Sequence, residues 1–226
     1  MSSAANPDLF EVLSKKGQLI QTVYQNALDS INLIKKVHKD LIQEYHAKYP
    51  AGETSISFTW EDVSAYELQL QFAGDVLVFS MHTNIFEFSR YHEVMSTSYI
   101  REDKSRSYCG IINIYNFLSD SFRYNRVNDI GYLIGRLFIN KDKCYFIEGK
   151  REVGMLYNNF GQEVFDEQAA RKLVESAILY AINFDLLTPP FDSVKEISLE
   201  EMKSIAESLT LKTGKRLGFR FQADKE

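Results

Sequence analysis

Breakers and bridges are scarce in this chain: 4 prolines, 11 glycines and 2 cysteines in 226 residues. With 45% apolar content, that scarcity excludes collagen-like repeats, low-complexity disorder and a disulfide-stapled scaffold. No apolar run approaches the ~20 residues a membrane-spanning helix needs. The longest, Ala177 to Leu187, is interrupted by Asn183 and Asp185. The opening residues MSSAANPDLF show neither a basic n-region nor an apolar h-region, so no secretory signal is expected. Cys109 and Cys144 are then expected to be reduced, small buried hydrophobes of a cytoplasmic protein.

Catalytic signatures are missing too. There is no G-x-S-x-G elbow, no G-x-G-x-x-G and no phosphate-binding loop, since neither Gly-Lys pair has a glycine five residues upstream. His92-Glu93-Val94-Met95-Ser96 begins like a zincin helix but ends in serine where the second histidine belongs. Without a C-x-x-C pair, neither a metal site nor a cofactor is expected, and no residue is assigned a catalytic role.

What is there begins with uneven charge. The net is −5, yet residues 51–89 hold six acids and no Lys or Arg, while residues 90–160 are mildly basic. No repeat or flexible linker divides the chain, so one continuous domain is expected, with segments 1–50, 51–161 and 162–226 differing in pattern.

The first segment reads as helix. Pro7 opens it, Asp8 and Glu11 suit its first turn, and no proline recurs before Pro50. Leu13, Ile20, Ala27, Ile34 and Leu41 recur every seven residues, with Tyr24, Ile31, His38 and Tyr45 as the companion row. That is a coiled-coil-like seam, although Val23, Leu28, Val37 and Ile42 widen it toward the stripe of a helix packed on a globular body. Gly17 is expected to bend or break the helix. Unbroken, residues 8–48 would span about 60 Å against a body about 40 Å across. Such a helix overhangs its own domain, and Ile20, Tyr24, Ala27, Ile31, Ile34 and Leu41 become an association seam for a protein partner or a second copy.

From Thr54 the period changes to two. Ile56, Phe58 and Trp60 alternate with polar residues, as do Leu68, Leu70 and Phe72 with Glu67, Gln69 and Gln71, the pattern of antiparallel strands with one wet face, and Ile56, Phe58, Leu68, Leu70 and Phe72 are expected to share one buried face. Ala73-Gly74-Asp75 is a turn, and VLVFSMHTNIFEF continues as a strand or strand pair. YHEVMSTSYI, YCGIINIYNF and GYLIGRLFIN read as strands, the last turning at Lys141-Asp142-Lys143 into CYFIEG. A short strand at Met155–Tyr157, a turn at Asn158–Gly161 and an edge strand at Gly218–Phe221 are also expected. Asp166 caps a helix that Pro189-Pro190 stops, and Ser198 with Glu201 forms a capping box for another. The fold expected is α+β: a single curved antiparallel sheet of about six or seven strands, preceded by a long N-terminal helix and followed by two C-terminal helices.

Residues 82–129 are the densest in polar and aromatic side chains, with five arginines to one lysine. Arginine with tyrosine recognises anions and stacked rings, because a planar guanidinium forks its hydrogen bonds and stacks. Arg101, Arg106, Tyr108, Arg123, Tyr124 and Arg126 are therefore the candidate ligand or partner surface, weighed against ordinary cross-strand pairing on a wet sheet face. His82 and His92 read better as hydrogen-bonded spectators, and the basic residues Lys212, Lys215, Arg216 and Arg220 as a solvated end. Two functions compete. One is a non-catalytic cytoplasmic interaction protein using the long helix and the Arg/Tyr face. The other is a small-molecule or nucleotide-binding domain, its arginines converging in a pocket with Glu87 or His92 as acid/base groups. Nucleic acid is disfavoured by the acidic net charge.

Overall fold

The computed structural model describes residues 8–50, 56–150, 153, 160–184, 186, 188 and 190–208. The expected strands at Met155–Tyr157 and Gly218–Phe221, the start of the expected turn at Asn158 and the basic residues from Lys212 on lie outside those residues.

Helix α1 runs unbroken from Leu9 to Lys48, with the Asp8 carboxylate accepting from the Phe10 amide. Gly17 neither bends nor breaks it: a helix of this length is held by its packed half, and one glycine costs only about 1 kcal/mol. Seven strands follow: β1 (Phe58–Ser64), β2 (Glu67–Phe72), β3 (Asp75–Met81), β4 (Phe86–Glu87), β5 (Tyr108–Leu118), β6 (Tyr132–Asn140) and β7 (Tyr145–Gly149). They form one open antiparallel sheet in the order β1-β2-β3-β5-β6-β7, with β4 on the edge of β5 that β3 occupies further along. Short helices α2 (Ser98–Glu102) and α3 (Ser119–Arg123) flank β5. After the sheet come α4 (Glu167–Ile182), α5 (Phe191–Val194) and α6 (Leu199–Ser208).

Register makes the two sheet faces different. Leu70 pairs with Leu77, Phe79 with Ile114, and Ile112 with Leu137. These residues, with Leu68, Phe72, Ile139 and Ile147, are buried against Ala27, Ile31 and Ile34 of α1 and Leu173, Val174 and Ala177 of α4. Phe58 and Trp60 pack on the same core from the edge strand. Ile56 does not: it precedes β1 and is 56% exposed, so the expected buried set begins at Phe58. Two details fasten α1 to the sheet. A Cβ at Gly110 of β5 would collide with the Ala27 methyl, so only glycine lets the helix lie this close. Lys35, nearly buried, bonds the Asp62 carboxylate and the Ser64 carbonyl, both at 2.6 Å.

The other face is covered in part by residues 88–107. YHEVMSTSYI, expected as a strand, forms a 3-10 turn (Glu93–Ser96) and α2 instead, and a second 3-10 turn follows at Lys104–Ser107. The reason is local. His92, Thr97 and Asp103 each accept a hydrogen bond from an amide two or three residues on, capping one short helical element after another. Val94 and Ile100 from this segment join Phe138, Phe146, Phe160, Cys109 and Cys144 in a second, smaller core. Both cysteines are free and buried. They lie opposite Asn140 on its two sides, since Cys109 pairs with Asn140 and the Asn140 amide donates to the Cys144 carbonyl. Two strand spacings, roughly 10 Å, separate their backbones, beyond the reach of a disulfide.

Two C-terminal expectations hold in detail. The Asp166 carboxylate accepts from the Ala169 amide, and Ser198 and Glu201 exchange side-chain-to-amide bonds of 3.0 Å. Helix α4 nevertheless ends at Ile182, short of the prolines, where Phe184 stacks on Tyr180 and packs near Tyr132.

Candidate interaction surface

The seam of α1 has two halves. From Val23 onward it meets the chain's own sheet: Val23, Ala27, Ile31 and Ile34 are fully buried, and Tyr24 and Leu41 pack at the core margin. The Tyr24 hydroxyl shares a 2.7 Å hydrogen bond with Tyr66. Of the six residues expected to greet a partner, Tyr24, Ala27, Ile31, Ile34 and Leu41 are therefore occupied within the fold, because the widened stripe matches a sheet face. Ile20 alone stays largely open, at 41% exposed.

Before Ile20 the same helix leaves the sheet behind. Phe10 is 75% exposed, Leu13 64%, and Leu9 and Val12 are open as well. Phe10, Leu13, Gly17 and Ile20 continue the heptad positions of Tyr24, Ala27, Ile31 and Ile34. Glu11 and Lys15 pair with each other at 2.6 Å, one turn apart. Lys16 reaches back to the body and sets its ammonium 3.3 Å from the centre of the Tyr108 ring, a cation–π contact at the base of the overhang. A Cβ on Gly17 would meet nothing within 4 Å.

The arginines and tyrosines do not share one site. Arg101, Arg106 and Tyr108 stand at or before the start of β5; Arg123, Tyr124 and Arg126 follow its end, roughly 33 Å away along an extended strand. Arg106 is engaged within the fold by Glu102 at 3.2 Å, Asp142 at 3.1 Å, the Tyr99 carbonyl at 2.9 Å and the Tyr99 ring. The Arg126 side chain, nearly buried, lies 3.5 Å from both Asp120 and Asp129 and clasps the loop after α3. Arg123 packs over Tyr124. The Tyr108 hydroxyl donates to Glu87 at 2.9 Å.

The histidines have structural work. His82 accepts from the Asn84 amide at 3.0 Å, and His92 caps its turn with its ring between Phe88 and Phe146.

The sequence pattern assigned no role to Asn140 or Tyr99, and named His38 only as a member of the companion row of the α1 seam. Asn140, fully buried, accepts from the amides of Asp142 and Cys144 and donates to the Tyr99 hydroxyl and Arg106 carbonyl, tying the β6–β7 turn to residues 99–106. Burial first, then bonding to Cys144, pushes the Tyr99 hydroxyl pKa well up. The Lys141 ammonium foremost, with Ser105, holds the Asp103 carboxyl well below its usual range. An Asn at the head of a Lys-Asp-Lys turn was the available signal for this node. His38 is fully buried against Phe79; burial pushes its pKa down to about 4 while its Nδ1–H donates to the Ile34 carbonyl.

Among the described residues, no group of His, Cys, Asp and Glu is placed to hold a metal ion, and no helix is long and apolar enough to cross a membrane. No protein-family model, curated protein or solved structure matches the chain.

Proposed function

We propose that the chain is a non-catalytic interaction protein of the cytoplasm, a complex subunit that docks a protein partner on the N-terminal turns of α1. The observation that carries this reading is the open apolar row Leu9, Phe10, Leu13 and Ile20, which continues a seam buried from Val23 onward. Large apolar side chains on consecutive turns of a well-formed helix cost solubility unless something covers them. Tyr108, at the base of the overhang beneath Lys16, supplies part of the polar rim such a surface uses. Arg123, Tyr124 and Arg126, at the far end of β5, play no part in it. The pocket reading loses its basis, because its arginines lie at opposite ends of a strand.

Affinity purification from the native cell tests the proposal with three baits: wild type, Leu13→Asp, and Val127→Asp as a control at another exposed site. Proteins or further copies held by wild type and control but lost with Leu13→Asp support it. Identical retention by all three overturns it.

A further inference from the structure

We infer that the last turns of α1 guard an open edge of the sheet, and that this contact keeps a second copy of the chain from adding its β1 there.

Strand β1 ends the sheet on one side, and an edge strand offers main-chain N–H and C=O groups that another strand can take up. Register shows which groups those are. Phe72 and Asp75 close the two-residue turn Ala73-Gly74, so they bond each other, and Leu70 and Leu68 face β3 in the same way. Gln71 and Gln69 are then the residues bonded to β1, at Thr59 and Glu61. The main-chain groups of Phe58, Trp60 and Asp62 therefore point away from the sheet.

Side chains of α1 meet that edge at both ends. The His46 Nε2–H donates to the Phe58 carbonyl at 3.2 Å, and the Tyr45 hydroxyl reaches the Ile56 carbonyl at 3.5 Å. The Tyr45 ring stands edge-on to Phe58, with 5.2 Å between centres. At the other end, β1 is bulged between Asp62 and Ser64, where Lys35 holds the Asp62 carboxylate and the Ser64 carbonyl. A bulge, and a charged residue on the core side of an edge strand, both hinder the addition of a further strand. Trp60 lies between the two fastenings.

The pairing these contacts oppose is specific. Two copies of β1 running antiparallel about a two-fold axis at Trp60 would set Trp60 against Trp60, and Phe58 of each against Asp62 of the other. Each Phe58–Asp62 pair needs the Phe58 carbonyl, which His46 already holds. The seam residues Ala27, Ile31 and Ile34 anchor α1 independently of His46, so the guard can be removed without removing the helix.

The test compares the full-length wild type with His46→Ala/Tyr45→Phe, a pair that removes both hydrogen bonds and keeps the ring on Phe58. Trp60 is the sole tryptophan and reports on the edge itself, whatever the first turns of α1 bind. In sedimentation over a wide concentration range, the variant should associate at least ~10-fold more tightly than wild type, with its Trp60 emission shifting to the blue as it does so. Amide exchange of the associated variant should slow at Phe58, Trp60 and Asp62 and stay unchanged at Thr59 and Glu61, which are already bonded to β2. His46→Gln, which can still donate to the carbonyl, should behave as wild type. If the double variant loses its fold, His46→Ala alone decides by the same measurements. A folded variant that associates no more than wild type, with unchanged Trp60 emission, overturns the guard. Association that protects other amides, or that His46→Gln shows equally, overturns it as well.

Discussion

The two halves of α1 carry one heptad pattern and meet opposite fates. Residues 23–41 bury their seam on the sheet, whereas residues 9–20 hold the same positions in solvent. Periodicity names a face and leaves its occupant undecided: the sheet ends near Gly110 and Tyr108, and the helix continues past it. The contrast shows why a coiled-coil-like row cannot by itself be read as an interface or as core.

The largest expected effect breaks that contrast directly. Ile31→Lys with Ile34→Lys should abolish cooperative unfolding, because two unpaired buried charges cost several kcal/mol each against a total of about 5–15. Phe10→Lys with Leu13→Lys should stay within about 0.5 kcal/mol per site of wild type by chemical denaturation of the monomer. Equal damage from the two pairs would mean the overhang is core.

Next comes the sheet. Leu70→Ala should cost roughly 2–5 kcal/mol, while Gln69→Ala and Ile56→Ala should each remain within about 0.5 kcal/mol. Denaturant midpoints at constant m decide it, and a large loss at Ile56 would contradict its exposed position.

His38 sharpens the comparison through pH. It is neutral in the fold, with its pKa lowered from 6.5 to about 4. The unfolded chain therefore binds the proton more readily, so stability is full above pH 6.5 and declines as pH falls from there toward about 4. The loss should reach about 3 kcal/mol, since each pH step between the two values removes ~1.4 kcal/mol. Stability measured from pH 7.5 to 4 should drop less steeply in His38→Gln than in wild type; parallel curves would mean the imidazole is not the group concerned.

The smallest effects come from two glycines. Gly110→Ala should destabilise by about 1–3 kcal/mol through its collision with Ala27. Gly17→Ala should stabilise the monomer by about 0.5–1 kcal/mol through helix propensity. Melting temperatures at dilutions where the chain is monomeric should therefore move in opposite directions. A matching fall at Gly17 would reveal a contact within the chain.

Local rules carried far in some elements and failed in others. Leu68, Leu70 and Phe72 alternate with polar residues and face the core; Asp166 and Ser198 cap the helices they precede, Ser198 together with Glu201 in the first turn of α6. Residues 91–100 misled because their apolar residues could be aligned as a strand, while His92 and Thr97 held the stronger local preference as caps. The Arg/Tyr grouping misled for another reason. Closeness in sequence became distance in space once an eleven-residue strand separated its halves.

Sequence alone determined which residues belong to most of the helices and strands and which side of each is apolar, because both follow from side-chain spacing of 3.6 or 2 along the backbone. Tertiary structure decided how those faces are used. Strand register set Leu70 over Leu77, the close approach of Ala27 to Gly110 positioned α1, and the end of the sheet left Phe10 and Leu13 open. Such outcomes depend on contacts between residues far apart in the chain, which no local period encodes.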